Sequence, residues 1–188
     1  MKTDKIKSTD AILLVIDFQE KLVPVIKDID NILETTSKLI RGCHVLEIPV
    51  IYSQQYTKGL GETVPKIMSA LTEGKGYQAS LVEKTTFSCY GTEEFANLLR
   101  NSKRKTVIVC GIETHICVQQ TVLDLLEAGY SVYLINDAVG SRNNSDKKYA
   151  QRRMAENGAI GTTCEAVLFE ILKDAKHPGF KEISNIIK

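Results

Sequence analysis

Short apolar runs rich in β-branched residues alternate along this chain with longer stretches in which apolar residues recur at helical spacing. A repeated strand–helix–strand order requires crossover connections, which produce a mainly parallel sheet with helices on both faces. The first, fourth and fifth runs are apolar at odd and even positions alike, as expected for strands covered on both sides. The predicted strands are residues 11–16, 49–53, 80–83, 106–110, 131–135 and 159–162.

The segments between these strands carry helix start and stop signals. Asn31 and Glu34 have the spacing of a capping box, which predicts a helix from there to about residue 46. Gly129 and Gly158 each follow a helical stretch and predict where it ends. The other predicted helices are residues 92–101, 114–128, 145–157 and a last one from a capping signal at 162–165 to residue 172. No linker-like composition shift interrupts the 188 residues, so one domain over 1–188 is expected.

The charge balance and the cysteine content exclude several classes of protein. A net charge of +1 lacks the basic footprint of proteins that bind nucleic acid or an anionic membrane surface. The apolar run at residues 11–16 is too short for a signal peptide or a membrane span, so a soluble protein is expected. Five cysteines are too few, and odd in number, for a disulfide scaffold, which favours a reducing, cytoplasmic location.

Three residues follow strands at the edge where parallel sheets bind their ligands. Asp17 directly follows the first predicted strand, and Lys84 directly follows the third. Cys117 lies seven residues past Cys110, which ends the fourth strand, and falls in the first turn of the next predicted helix. An acid, a cation and a thiol that converge on one crevice form a set suited to nucleophilic catalysis.

The expected chemistry starts from the Cys117 thiol. The N–H groups at a helix start and the Lys84 ammonium are expected to lower the pKa of this thiol. Asp17 would accept the thiol proton and return it to a leaving amine. Taken singly, each residue also has an ordinary interpretation: a turn residue for Asp17, a solvated cation for Lys84 and a packing residue for Cys117.

The remaining cysteines and the histidines predict no second site. His115 stands two residues before Cys117 and is expected to point away from it, and the three histidines are too scattered for a metal site. The glycine pairs at 59 and 61 and at 74 and 76 do not complete a phosphate-binding loop, so no cofactor is predicted. No pair of cysteines has Cys-x-x-Cys spacing, and four are interpreted as packing residues: Cys43, Cys89, Cys110 and Cys164.

The candidate residues lie in three recognisable segments. Residues 12–19 read Ile-Leu-Leu-Val-Ile-Asp-Phe-Gln, residues 84–92 read Lys-Thr-Thr-Phe-Ser-Cys-Tyr-Gly-Thr, and residues 109–118 read Val-Cys-Gly-Ile-Glu-Thr-His-Ile-Cys-Val. In this order they resemble the acid, lysine and nucleophile segments of the isochorismatase-like cysteine hydrolases, over about residues 9–175. The resemblance implies a Rossmann-like three-layer α/β/α sandwich around a parallel six-stranded sheet. It also implies an Asp17–Lys84–Cys117 triad.

The resemblance further implies details of the site. A cis peptide is implied at Ile112–Glu113, and it would place the Glu113 N–H beside the Cys117 N–H as an oxyanion hole. Residues 53–61 lack the histidines with which nicotinamidases bind a metal, so nicotinamide is not favoured. This stretch most resembles the short isochorismatase-domain-containing proteins. The substrate contacts implied for this chain are Phe18, Gln55, Tyr56 and Phe87.

The sequence therefore predicts a metal-independent cysteine hydrolase that cleaves a C–N bond of a small amide or ureide through a thioester on Cys117. True isochorismatases cleave a vinyl ether without this cysteine, so Cys117 favours an acyl carbon instead. Two alternatives stay open. The fold could serve as a binding module with little catalysis, or Cys117 could be a redox-sensing thiol. The resemblance also implies a homo-oligomer.

Overall fold

Six parallel strands form the centre of the protein, and helices cover both faces of the sheet. The structure is a computed structural model that describes residues 5–73 and 79–188, so the glycine pair at 74 and 76 lies outside the described residues. The strands are β1 (Ala11–Ile16), β2 (Val50–Gln55), β3 (Ser80–Lys84), β4 (Thr106–Ile112), β5 (Ser131–Gly140) and β6 (Ile160–Thr162).

The strand order is β3-β2-β1-β4-β5-β6, and every neighbouring pair is parallel. The predicted α/β architecture is therefore confirmed. The order reverses direction at β1, which has β2 on one side and β4 on the other. In doubly wound sheets, ligands bind beyond the carboxyl ends of the strands at such a reversal. The carboxyl ends of β1 and β4 are therefore the first place to look for a site.

The helices fill the crossovers between strands. They are α1 (Ile29–Val45), α2 (Thr57–Leu60), α3 (Pro65–Thr72), α4 (Glu93–Ser102), α5 (Gln119–Glu127), α6 (Asn144–Glu156), α7 (Cys164–Leu172) and α8 (Phe180–Ile187). Buried residues of α1, α3, α7 and α8 pack on one face of the sheet, and those of α4, α5 and α6 pack on the other. No helix in the described ranges is both long and apolar enough to cross a membrane.

Alternate residues of β1 enter the two cores, because successive side chains of a strand point to opposite faces. Leu13 and Val15 pack beneath α1, whereas Leu14 and Ile16 pack on the opposite face. All six residues of β1 and all seven of β4 are buried. This explains why both strands read as continuous apolar runs in the sequence.

Several element boundaries differ from the predicted ones. The helix α1 begins at Ile29 behind Asp28, so the capping box predicted from Asn31 is wrong. Asn31 lies inside the helix, and its amide donates to the Asp28 side chain at 2.6 Å. The strand β5 runs five residues beyond its predicted end, and the short helices α2, α3 and α8 were not predicted. These helices are four to eight residues long, too short to show a clear helical period.

The predicted helix 114–128 is divided in two. Thr114–Val118 forms a π-helical turn, with the Val118 N–H bonded to the carbonyl of Glu113 at 3.3 Å, and α5 follows it. Such turns are rare and frequently occur at functional sites. Just before the turn, Gly111 has φ of +143°, and a Cβ there would lie 2.5 Å from the carbonyl oxygen of Ile16. Glycine therefore allows β4 to approach the end of β1 closely.

Candidate active site

Asp17 is the first residue after β1, and it leaves the strand with φ of 54°. Aspartate tolerates this left-handed conformation better than most residues. The backbone N–H of Asp17 donates to the Ser53 carbonyl at 3.2 Å, and Asp17 Oδ1 accepts from Ser53 Oγ at 2.7 Å. Ser53 of the neighbouring strand β2 thus holds both the backbone and the carboxylate of Asp17.

Lys84 ends β3 and reaches across β2 to the acid. Its Nζ lies 2.7 Å from Asp17 Oδ2 and 2.7 Å from Gln55 Oε1, and both charged side chains have an exposed fraction of 0%. The carbonyls of Phe87 and Thr86 complete the shell of acceptors at 3.1 and 3.3 Å. A buried ammonium needs such partners, because removing a charge from water is costly without them.

The charge on Lys84 is maintained by its partner. Burial alone would lower the pKa of Lys84, but the Asp17 carboxylate, with smaller effects of Cys89 and Cys117, raises this pKa above its ordinary value. Lys84 is therefore an ammonium ion at neutral pH. It serves as a fixed positive charge beside the acid and does not donate or accept a proton itself.

Cys117 lies in the π-helical turn that follows β4, and its side chain is buried. The Cys117 thiol is hydrogen-bonded to the Asp17 carboxylate. Its carbonyl accepts a hydrogen bond from Thr121 Oγ1 at 2.7 Å, which fixes the turn against α5. The three residues predicted from strand ends thus come together at the carboxyl edge of β1, β3 and β4.

The expected lowering of the pKa of Cys117 is wrong. Burial raises the pKa of this thiol above its ordinary value, the negative charge of Asp17 raises it further, and Lys84 offsets only part of this. The prediction counted the lysine charge but not the carboxylate that neutralises it, nor the depth of the turn. In the resting state Cys117 is therefore a neutral thiol hydrogen-bonded to a carboxylate.

Glu113 stands between β4 and the π-helical turn, and the peptide bond from Ile112 to Glu113 is cis. The carbonyl of Glu113 accepts from the N–H groups of Ile116 and Val118 at 3.1 and 3.3 Å. Its carboxylate accepts from the backbone N–H and the Nε of Arg142, at 3.0 and 3.1 Å. These contacts join the turn that carries Cys117 to the loop after β5. The oxyanion hole formed by the Glu113 and Cys117 N–H groups stays a prediction.

The four residues predicted to contact a substrate lie in different environments. Phe18 is buried and belongs to the core cluster that includes α1 and α3, whereas Cys117 belongs to the cluster on the other face of the sheet. The Gln55 amide is engaged within the protein, because Oε1 accepts from Lys84 and Nε2 donates to the Thr85 carbonyl at 2.8 Å. Tyr56 and Phe87 are exposed on the loops after β2 and β3. Substrate contact stays a prediction for all four residues.

A cleft of about 470 Å³ opens beside Lys84 at the ends of β2 and β3. Hydroxyl groups dominate its lining, with Lys58 and Glu83 as its two oppositely charged exposed side chains. The lining residues are Tyr56, Thr57, Lys58, Glu83, Lys84, Thr85, Thr86, Gly91 and Thr92. A cleft of this composition suits a small polar molecule without a large net charge.

The polar residues that support the triad were missed by the sequence prediction. Gln19 is fully buried, and its Nε2 donates to the carbonyls of Gln55 and Gly61 at 3.0 and 2.7 Å. Cys89 was interpreted as a packing residue, but its Sγ lies 3.5 Å from Ser53 Oγ, next to the acid. Burial, followed by the charge of Asp17, raises the pKa of Cys89 to about 11. The only feature of the sequence that could have indicated Gln19 and Cys89 was their position within the segments that contain Asp17 and Lys84.

The other cysteines lie away from this cluster. Cys43, Cys110 and Cys164 are free thiols buried on the opposite face of the sheet, consistent with packing roles. His115 Nδ1 lies 3.0 Å from Ser141 Oγ, and the ring lines a separate cleft against α6. Within residues 5–73 and 79–188, no three His, Cys, Asp or Glu side chains are arranged to hold a metal ion.

Comparison with known proteins identifies a matching family, a similar sequence and a similar structure. The isochorismatase domain model matches residues 11–166. The chain is 39% identical to isochorismatase family protein 1A of Dictyostelium discoideum over 174 residues, which cover 92% of this chain and 84% of that protein. It is similar to the structure of the MAR1 ribonuclease of Caenorhabditis elegans, with a TM-score of 0.91 and 39% identity over 98% of this chain and 92% of that one.

A more distant likeness concerns the fold alone. The YcaC gene product of Escherichia coli, an octameric hydrolase of unknown specificity, has a TM-score of 0.85 and 21% identity over 100% of this chain and 96% of that one.

Proposed function

Since the chain belongs to the isochorismatase family, we propose that it is a cysteine hydrolase that cleaves a C–N bond of a small amide or ureide without a metal ion. The observation that supports this most directly is the buried cluster in which Asp17 contacts both the Lys84 ammonium and the Cys117 thiol. A carboxylate that is paired with an ammonium and lies beside a neutral thiol is a general base within reach of its nucleophile. A packing role for Cys117 would need neither charged group.

The reaction begins with the transfer of the thiol proton to Asp17 as Cys117 Sγ attacks the substrate carbonyl carbon. Because the pKa of the thiol is raised, the proton leaves during the attack rather than before it. The carbonyl oxygen gains negative charge, for which the Glu113 and Cys117 N–H groups are the proposed donors. Asp17 then protonates the leaving nitrogen as the C–N bond breaks, which leaves an acyl thioester on Cys117.

Water completes the cycle. The oxygen of a water molecule attacks the thioester carbon while Asp17 accepts a proton from that water. Asp17 then returns the proton to the departing Cys117 sulfur. Lys84 remains charged throughout and stays paired with Asp17. The acid fragment and the amine leave, and the thiol and carboxylate return to their starting states.

The experiment is a screen of small amides and ureides with ammonia detection, followed by mass spectrometry of the intact protein. The proposal expects turnover and an acyl adduct that maps to Cys117. Cys117→Ala should lose both, whereas Cys164→Ala removes a buried thiol on the opposite face and should keep them. Full turnover by Cys117→Ala would overturn the mechanism. Slow alkylation of Cys117 at neutral pH would not, because a thiol with a raised pKa alkylates slowly in any case.

The two alternatives predict other outcomes of the same screen. A binding module would retain a small ligand without turnover and without an adduct. A redox sensor would form a sulfenic acid or a mixed disulfide on Cys117 under peroxide, with no acyl intermediate. The hydrolase is favoured because the acid and the cation are both buried against the thiol, an arrangement that neither alternative requires.

Cleavage of RNA is a second candidate, favoured by the likeness to a MAR1 ribonuclease. The net charge of +1 and a cleft lined by one exposed cation, Lys58, and one exposed anion, Glu83, argue for a small neutral substrate instead. Incubation with single-stranded RNA tests this candidate directly. Release of fragments by the wild type but not by Cys117→Ala would favour it over the amide substrate.

The proposal includes self-association and a cytoplasmic location. The octameric state of the YcaC relative supports the first, and five free cysteines support the second. Light scattering coupled to size-exclusion chromatography gives the oligomeric state. A monomer at micromolar concentration would contradict the first of these inferences.

A further inference from the structure

Ser53 is the residue through which β2 holds the acid. It is buried, and its side chain lies on the strand directly beside β1, with Ile16 as its partner in register. Its hydroxyl donates to Asp17 Oδ1 at 2.7 Å, and its carbonyl accepts from the Asp17 N–H at 3.2 Å. Asp17 thus receives one donor on Oδ1 from Ser53 and another on Oδ2 from Lys84.

The hydroxyl of Ser53 has a defined direction. Cys89 Sγ, at 3.5 Å, is placed to donate to Ser53 Oγ, so the serine proton is left for Asp17. Cys89 is itself fixed, because its backbone N–H donates to Thr121 Oγ1 at 2.9 Å. The same Thr121 hydroxyl donates to the carbonyl of Cys117. A continuous hydrogen-bonded path therefore runs from the nucleophile's own turn through Cys89 and Ser53 to the acid.

We propose that Ser53 is a positioning residue for catalysis: its hydroxyl orients the Asp17 carboxylate toward Cys117. This inference rests on the proposed function, since it assigns a role in the proton transfer from Cys117. Ser53 acts through Asp17, and no direct contact with a substrate is needed for this role.

The physical reason is the geometry of a carboxylate. With Lys84 as its only strong donor, the group could rotate about its Cβ–Cγ bond and turn both oxygens toward the ammonium. A second donor on the other oxygen fixes the plane of the carboxylate, which determines where its free lone pairs point.

The ionisable groups that the described residues place against Asp17 come from three elements. They are the Lys84 ammonium from β3, the Cys117 thiol from the π-helical turn, and the Cys89 thiol from the loop before α4. The lysine stays charged and the thiols stay neutral around neutral pH.

The test compares Ser53→Ala with Ser53→Thr, and Ser69→Ala serves as a matched control. Ser69 also donates to a carboxylate at 2.7 Å, that of Glu73, but on the exposed surface of α3. Cys117 is acylated with p-nitrophenyl acetate, and kcat and KM are measured on an amide found by the screen. Ser53→Ala is expected to lower the acylation rate and kcat by roughly 10- to 100-fold, with KM almost unchanged.

Rescue by the conservative variant and the split between kcat and KM distinguish positioning from a purely structural role. Ser53→Thr, which keeps the hydroxyl, should restore the acylation rate and kcat. Equal acylation by wild type and Ser53→Ala overturns this inference alone. A lower kcat that comes with a raised KM, or that threonine does not rescue, overturns it too. A wild type that forms no adduct on Cys117 overturns the proposed function and this inference together.

Discussion

Two places in this molecule join a carboxylate to a serine hydroxyl and a cation at similar distances. The buried centre consists of Ser53, Asp17 and Lys84, with the serine and the lysine each 2.7 Å from the carboxylate. The surface centre joins α1 and α3 through Ser69, Glu73 and Arg41. There the serine and the arginine lie 2.7 and 2.8 Å from the carboxylate.

Burial is what separates the two centres. The charged side chains of the buried centre are 0% exposed, whereas Arg41 and Glu73 are 40% and 48% exposed. Water screens the surface pair and solvates each partner when the contact breaks, so little free energy depends on it. In the buried centre no water replaces a lost partner. Hydrogen-bond distances alone therefore do not identify a catalytic cluster. The same contacts affect the free energy strongly when they are buried and weakly when they are exposed.

The largest expected effect comes from removing the buried cation. Lys84→Met should lower the free energy of unfolding by about 3–5 kcal/mol, because it leaves the Asp17 carboxylate buried without its counter-charge. Denaturation in urea measures this. The double variant Asp17→Asn/Lys84→Met has no unpaired charge, so it should recover much of the lost stability but no activity. If the single variant is as stable as the double, burial does not control this centre.

Alkaline pH tests how far the buried environment extends around the centre. The folded protein holds the proton of Cys89 up to about pH 11, whereas a cysteine in the unfolded chain loses it near the ordinary pKa of 9.0. The contribution of Cys89 to stability is therefore complete below pH 9 and disappears as the pH rises through 11. This amounts to about 2–3 kcal/mol.

The measurement is the free energy of unfolding of wild type and Cys89→Ala at several pH values from 8 to 11.5. Other buried thiols make the wild-type curve steeper, so the difference between the two curves isolates Cys89. We expect Cys89→Ala to lose less stability than wild type over this range. Parallel curves would show that the thiol beside the buried centre reaches water.

The ion pair formed by Glu113 and Arg142 is less buried than the buried centre and less exposed than the surface centre. The Glu113 side chain is 7% exposed and that of Arg142 is 55% exposed. Arg142→Ala removes the side-chain donor but leaves the backbone N–H of residue 142 on the carboxylate. The expected cost is about 1–2 kcal/mol, together with a lower kcat, because the turn that carries Cys117 loses a support. Arg152→Ala, which breaks a fully surface pair with Glu156, is the control and should change neither value measurably.

The smallest effect is expected at the surface centre. Glu73→Gln should change the free energy of unfolding by about 1 kcal/mol or less, and added salt should reduce the difference further. Arg41 and then Ser69 lower the pKa of Glu73, so whatever stability this carboxylate adds is present above its ordinary pKa and is lost as the pH falls below it. A loss near that of Lys84→Met would remove the distinction between the two centres.

The strand ends that carry the triad could be predicted from the sequence. Fully buried parallel strands appear as continuous apolar runs, so β1 and β4 were located to within two residues of their ends. Asp17 and Lys84 could then be placed at one edge of the sheet, because parallel strands end on the same side. The short helices could not, since four to eight residues show too little periodicity.

The supporting contacts and the state of the thiol could not be predicted. Ser53 and Asp17 are 36 positions apart, and their contact depends on the register between β1 and β2. The direction of the shift in the pKa of Cys117 depends on burial and on a carboxylate that cancels the lysine charge. Both are properties of the folded interior, and neither is visible in the order of residues along the chain.

Lys84 lies on β3, at the outer end of the strand order, and its ammonium crosses β2 to reach the end of β1. An edge strand is ordinarily among the first parts of a sheet to open locally. Here the opening of β3 would pull a charge out of its buried contact, so the strand cannot separate without dismantling the cluster. The β3 amides that are hydrogen-bonded to β2 should therefore exchange with solvent as slowly as those of a more central strand, and the excursions that expose them are also the moments in which the protein is inactive.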